Sequence, residues 1–229
     1  MYFDSTYFLV IIGAVICMIA SARVKSTFNK YARVPHHSGM TGRDAALQIL
    51  HMNGMNDVAV QHVSGNLTDH YDPRTKTVNL SDATYSASSV AAVSVAAHEC
   101  GHAIQHAQGY VPLTFRSALV PVANLGSMAA WPLIIVGLFI RSSSAMMFIN
   151  LGIICFSLSV LFQLVTLPVE FNASSRAIRI MENSGMVYEQ EAEGTKAVLK
   201  AAALTYVASA AASILQLLRL IMIGNRRND

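Results

Sequence analysis

His98-Glu99-Cys100-Gly101-His102 sits near the middle of a 229-residue chain. Its upstream flank, residues 88–97, reads SSVAAVSVAA and is rich in alanine, the strongest helix former. Residues four apart on a helix share one face, about one turn from each other, so His98 and His102 can reach a single Zn²⁺. Glu99, beside the first imidazole, can take a proton from a water on that ion. An HExxH stretch thus puts two ligands and a general base on one helix. Only three of its positions are fixed, and a surface helix can carry His and Glu without using them. The rest of the chain decides between the two.

Hydrophobic residues make up 53% of the chain and charged ones 13%, about half the charged share of a soluble domain, which points to a bilayer. The net charge of +3 is small, and no basic stripe with interleaved aromatics occurs, so a nucleic-acid partner is not expected. Three cysteines cannot make a complete disulfide framework. Cys17 and Cys155 fall in apolar runs, where cysteine behaves as a small hydrophobe, and Cys100 reads as a packed residue at an unspecified position of the motif.

Four apolar runs organise the chain. The first, residues 7–22, is near the lower limit for a membrane span. Arg23, Lys25, Lys30 and Arg33 follow it, the pattern of an uncleaved anchor with its N-terminus outside, where a cleaved signal peptide would carry its charges first. Runs 118–140 and 145–167 flank a polar turn at Arg141 and form a membrane hairpin, with Pro121, Asn124 and Pro132 facing protein. Run 201–223 is Ala-rich and carries Thr205, Ser209, Ser213, Gln216 and Arg219, so it is either a fourth span or a long buried helix.

Between the first two runs, Pro35 marks a linker, and a helix capped by Thr41, with Asp44 in its first turn, runs to Gly54. A strand is expected within 58–63 and a hairpin from 67–71 and 77–80 around Asp72. The HExxH helix follows, capped by Ser81 or Asp82 and ended by Pro112. A sheet edge beside a metal can pair with an extended peptide; equally, the strands can simply cover the helix.

The expected fold is mainly α: three to four transmembrane helices plus a small α+β zincin-like domain with a short β-hairpin sheet. The segments are an anchor at 1–30, the zincin-like domain at 31–117, a membrane hairpin at 118–167, a helix at 168–200 opened by Pro168, and a membrane or buried helix at 201–229.

Catalytic zinc usually takes three protein ligands and leaves one position for water. Candidates for the third are His106, the carboxylates after the hairpin and the early histidines. His106 would stretch the set over about 12 Å of helix, too far for one ion, which leaves it a contact to substrate or to a ligand, or a polar helix residue. Glu170, just after the third run, is the better candidate. Two crossings return the chain to the side it left, so the hairpin permits a site shared with His98 and His102. Positive charges cluster in the segments on that side, and by the positive-inside rule the site faces the cytoplasm; Arg226 and Arg227 dissent if the last run spans.

HECGHAIQHAQGY from His98, YDPRTKTVNLS from Tyr71 and TLPVEFNASSRA from Thr166 together resemble the YugP-type neutral zinc metallopeptidases of bacterial membranes. The likeness runs from the first apolar run to the end of the chain. The order of elements is also similar to the wider HtpX and CaaX-prenyl-protease group. The resemblance implies a gluzincin-type site, with Zn²⁺ on His98, His102 and Glu170 and with Glu99 as base. In the wider group an Asp follows the Glu ligand by four residues. Here that position is Ser174, so the partner that orients a histidine falls to Asn172 or Ser174.

The activity this implies is that of an integral membrane metalloendopeptidase acting on peptide or protein substrates, membrane proteins among them. A tetrahedral oxyanion needs a donor besides zinc, with His106, Arg176 and Tyr188 as candidates. One rival is a site-2-type protease with HExxH inside a span, although residues 87–107 carry five polar groups in one half. Another is a non-catalytic membrane scaffold with structural zinc, although such sites are normally closed by four ligands and rich in cysteine.

Overall fold

The computed structural model describes residues 6–140 and 144–226; Arg141 of the polar turn and Arg227 lie outside the described residues, as does the side chain of Arg226. The elements run in the order α1 (Tyr7–Tyr31), α2 (Gly42–Met52), β1 (Ala59–His62), β2 (His70–Asp72), β3 (Thr77–Leu80), α3 (Val90–Ala107), α4 (Val111–Phe139), α5 (Ala145–Asn183) and α6 (Glu189–Arg226). Four of these, α1, α4, α5 and α6, are long and apolar enough to cross a membrane. The chain is a mainly α membrane protein with a small α+β part, as expected, and the last apolar run belongs to a helix of spanning length.

The chain divides into two compact units. The first takes the residues up to 20, 114–168 and those from 205 onward. Lipid supplies no hydrophobic drive between helices, so close backbone approach at small residues matters there. A Cβ at Gly126 of α4 would lie 2.6 Å from the Cys155 carbonyl of α5, and one at Gly152 would lie 2.9 Å from the Ala130 carbonyl. The two helices touch backbone to backbone, which keeps the α4–α5 pair tight despite Pro121 and Pro132 inside α4.

The second unit takes residues 21–113 and 169–204. Thr41 caps α2 as expected, in a full capping box: its side chain accepts from the Asp44 N–H, and Asp44 accepts from the Thr41 N–H. Ala45, Ala46, Ile49 and Leu50, spaced for one helical face, are buried against β3 and α3. The sheet has the order β1-β3-β2, with β1 parallel and β2 antiparallel to β3. Asp72 turns the β2–β3 hairpin by accepting from the Arg74 N–H at 2.9 Å and the Thr75 hydroxyl at 3.0 Å.

Three boundaries differ from the sequence reading. The cap of α3 is Ser89, whose side chain accepts from the Ala92 N–H, and not Ser81 or Asp82. Those two are spent on the sheet loops: Ser81 donates to Asp69 from both N–H and Oγ, and the Asp82 carboxylate accepts from the Gly65 N–H at 2.8 Å. Pro112 opens α4 instead of closing α3. It sits in the first turn, where a missing N–H costs nothing, and α3 ends before Gly109, whose φ of 60° is the left-handed stop. Finally, α5 runs through Pro168 without a break, and the boundary between the units falls at that residue. The chain turns only after Asn183, with Gly185 at φ 68°, before the acidic stretch starts α6.

Helix α3 crosses the second-unit part of α5 at Gly101. A Cβ there would stand 2.6 Å from the Ala173 carbonyl. The space that the missing side chain leaves is taken by the backbone of α5. A Gly101→Val variant should therefore force the helices apart. Thermal unfolding of the purified chain should show a loss of about 1–3 kcal/mol, the usual cost of overpacking, and an unshifted melt would contradict this contact.

Candidate metal centre

Among the described residues, two groups of His and Glu gather ligand atoms within 4.8 Å of one another: His98, His102 and Glu170, and His36, His37 and Glu191. Both lie in the second unit. Distances inside them separate the two.

In the first group, α3 presents His98 and His102 one turn apart, and α5 brings Glu170 across at the level of Gly101. The His98 and His102 Nε2 atoms lie 3.3 and 3.5 Å from Glu170 Oε2. A tetrahedral zinc ion with bonds of about 2.0–2.1 Å sets its ligand atoms about 3.3–3.4 Å apart. Glu170 is 3% exposed, and its Oε2 is buried with no hydrogen-bond partner. Two ring nitrogens thus stand at the edge length of a zinc tetrahedron from a carboxylate oxygen that nothing else satisfies. The residues present fit the ion.

The far side of each ring is also held. His98 Nδ1 lies 3.2 Å from Ser174 Oγ, and His102 Nδ1 lies 3.0 Å from Gln105 Oε1. Gln105 is fully buried and donates its amide to the Val169 carbonyl and to Asn172 Oδ1, both at 2.9 Å. Its oxygen must therefore face His102, which places the proton on Nδ1 and leaves Nε2 as the free lone pair. Asn172 in turn accepts from Arg176 Nε at 2.7 Å, and Arg176 Nη1 donates to Gln108 Oε1. One chain of hydrogen bonds thus runs from His102 back to α3 by way of α5.

Of the two residues expected to orient a histidine, Ser174 touches His98 directly and Asn172 acts one step removed. Gln105 was not singled out for this role, although it lies three residues after His102, on the same face of the helix.

Electrostatics agree with the geometry. Burial pushes the His102 imidazole down, but the Glu170 and Glu99 carboxylates more than offset it, and its pKa stands above the usual histidine value. Glu99 is 8% exposed. Cys100 is fully buried, and burial raises its thiol far above the ordinary range; its Sγ points to the Ala46 carbonyl at 3.6 Å. His106, one turn beyond His102, lies outside the group, with its Nδ1 3.0 Å from the Tyr71 hydroxyl.

In the second group the separations are those of hydrogen bonds. His37 Nδ1 lies 2.6 Å from Glu191 Oε2, well inside a tetrahedral edge. Glu191 also accepts from the His37 N–H at 2.7 Å and from the Tyr188 N–H at 3.1 Å, the second of these capping α6. Tyr188 stacks on His37 with ring centroids 4.0 Å apart. This cluster is a clamp that ties the 35–38 segment to the start of α6. It engages His37 and Tyr188, with the His36 ring 4.6 Å from that of His37.

A family model described as "Putative neutral zinc metallopeptidase" matches residues 6–225. The chain is 48% identical over 216 residues to a Bacillus subtilis (strain 168) protein named "Putative membrane protease YugP", covering 94% of this chain and 95% of that protein. No solved structure matches. With the match spanning almost the whole length of the chain, including both elements that carry the candidate metal centre, this protein belongs to that neutral zinc metallopeptidase family.

Proposed function

We propose that this chain is an integral membrane zinc endopeptidase in which His98, His102 and Glu170 hold the ion and Glu99 is the general base. The observation that carries the reading is the convergence of two imidazole nitrogens on a buried carboxylate oxygen at 3.3 and 3.5 Å. Three ligands leave a position open, as a catalytic site needs and a structural one does not. Zinc held there lowers the pKa of a bound water toward 7 and polarises the scissile carbonyl.

The chain's own residues do the rest. Glu99 follows His98 directly, so its carboxylate starts beside the ligand face, and it serves to take the water proton and return it to the leaving amine. Ser174 and Gln105 fix the tautomer and tilt of the two rings. His106, braced by Tyr71, and Arg176, braced by Asn172 and Gln108, are the groups available to a tetrahedral oxyanion. Tyr188 belongs to the clamp and is left out of this role.

Neither rival gains support. The site-2-type reading needs α3 to span, and α3 is not among the four helices long and apolar enough to do so. The scaffold reading needs a closed set of ligands, and the one nearby thiol, Cys100, is turned to the Ala46 carbonyl. A site at the cytoplasmic side of the cell membrane is supported by the positive flank of α1 and by an even number of crossings between the HExxH helix and Glu170.

Two variants test it. Glu99→Gln should keep bound zinc and lose cleavage of casein by 10²–10⁴-fold, the usual share of a general base; undiminished cleavage would sink the assignment. Gln105→Leu keeps the bulk and removes the hydrogen bond to His102. Competition with a chromophoric chelator should show zinc affinity falling about 10–100-fold while circular dichroism is unchanged, and wild-type affinity would show that Gln105 merely packs.

A further inference from the structure

Within the second unit, α5 and α6 leave between them a groove of about 400 Å³. Its walls combine Phe171, Leu199 and Ala203 with three cations, Arg179, Lys196 and Lys200, and no carboxylate lines it. Phe171 is 49% exposed, a large apolar surface that the fold itself does not cover. Of the cations, Lys196 pairs with Glu182 at 2.7 Å, while Arg179 and Lys200 have no partner among the described residues.

The groove is also graded along its length. The two helices are joined by the turn after Asn183, so they run antiparallel, with Phe171 and Ala203 at one end and Arg179 and Lys196 at the other. Along the chain, Phe171 stands three residues after Pro168, where the apolar part of α5 ends, and Ala203 stands two before Thr205, where that of α6 begins. Counted along the helices from Phe171 and Ala203, Lys200 and Leu199 come three and four residues further out, and Lys196 and Arg179 seven and eight, up to about two turns.

An amphiphile with an apolar body and an anionic head matches that order, since basic pockets between membrane helices recognise anionic headgroups. We propose that this groove binds an anionic phospholipid, with its headgroup phosphate held by Arg179 and by Lys200 reaching outward, and its upper acyl region against Phe171 and Ala203. Ser174 lines the same groove and lies against His98, so the lipid contacts a residue that positions the candidate metal centre. The lipid site itself stands whether or not the protein cleaves peptides.

Native mass spectrometry of the full chain in detergent, titrated with phosphatidylglycerol or phosphatidylcholine, reads the site directly. Phosphatidylglycerol should be retained and phosphatidylcholine lost. Each basic residue near a membrane surface contributes about 1 kcal/mol, so a double variant, Arg179→Gln with Lys200→Gln, should weaken retention about thirtyfold. A control pair outside the groove, Arg23→Gln with Lys25→Gln, should change it less than threefold. Both pairs are on α-helices, and circular dichroism reports whether they fold. Inorganic phosphate should not displace the lipid, because the acyl contacts contribute. Equal loss in both variant pairs, an unchanged double variant, or displacement by phosphate or by an acidic peptide would overturn the proposal.

Discussion

Burying a carboxylate is costly unless its oxygens find donors or a cation. Glu170 is 3% exposed with Oε2 unsatisfied, and two imidazole nitrogens face that atom at 3.3 and 3.5 Å. Much of the second unit is built to hold this arrangement. Gly101 lets the backbone of α5 approach α3, so that Glu170 reaches the HExxH face. Ser174, one residue after the contacted Ala173, meets His98, and Gln105 bridges His102 to the Val169 carbonyl beside Glu170. The close approach and the hydrogen bonds act together: separating the helices takes Glu170 and Ser174 away from the histidines and strips Gln105 of its α5 partners at once.

The two His–Glu groups show how similar residue types reach different ends. At Glu191 the carboxylate is engaged by two N–H groups and an imidazole at hydrogen-bond distance. At Glu170 the nitrogens stand further off and converge on one oxygen. Zinc needs separations near its own tetrahedral edge, which the nitrogens facing Glu170 offer and the 2.6 Å contact of His37 with Glu191 does not.

Much of this was legible in the sequence because it depends on local periodicity. The i, i+4 spacing of His98 and His102, the Thr41–Asp44 capping box and the apolar runs are each written within a few residues. The parity of crossings permitted a site shared with Glu170 before any distance was known. Boundaries were less legible where tertiary contacts decide them. Ser81 and Asp82 look like caps but are drawn to Asp69, Gly65 and His62, partners 12–20 residues away that no local pattern announces. Pro168 looks like a helix start, yet the long α5 continues through it. Gln105 carried a signal in its i+3 spacing from His102, but its donors' partners, Val169 and Asn172, are set by the fold.

The central claim is that one zinc ion is held by two imidazoles and a carboxylate with no thiolate. X-ray absorption at the zinc edge on the zinc-loaded full chain tests it most directly. The account predicts about four nitrogen or oxygen neighbours at 2.0–2.1 Å, with the outer-shell signature of two imidazoles. In Glu170→Gln the zinc content of the purified protein should fall while the fold persists. A sulfur neighbour near 2.3 Å, which would bring in Cys100, or full zinc content in Glu170→Gln, would contradict it.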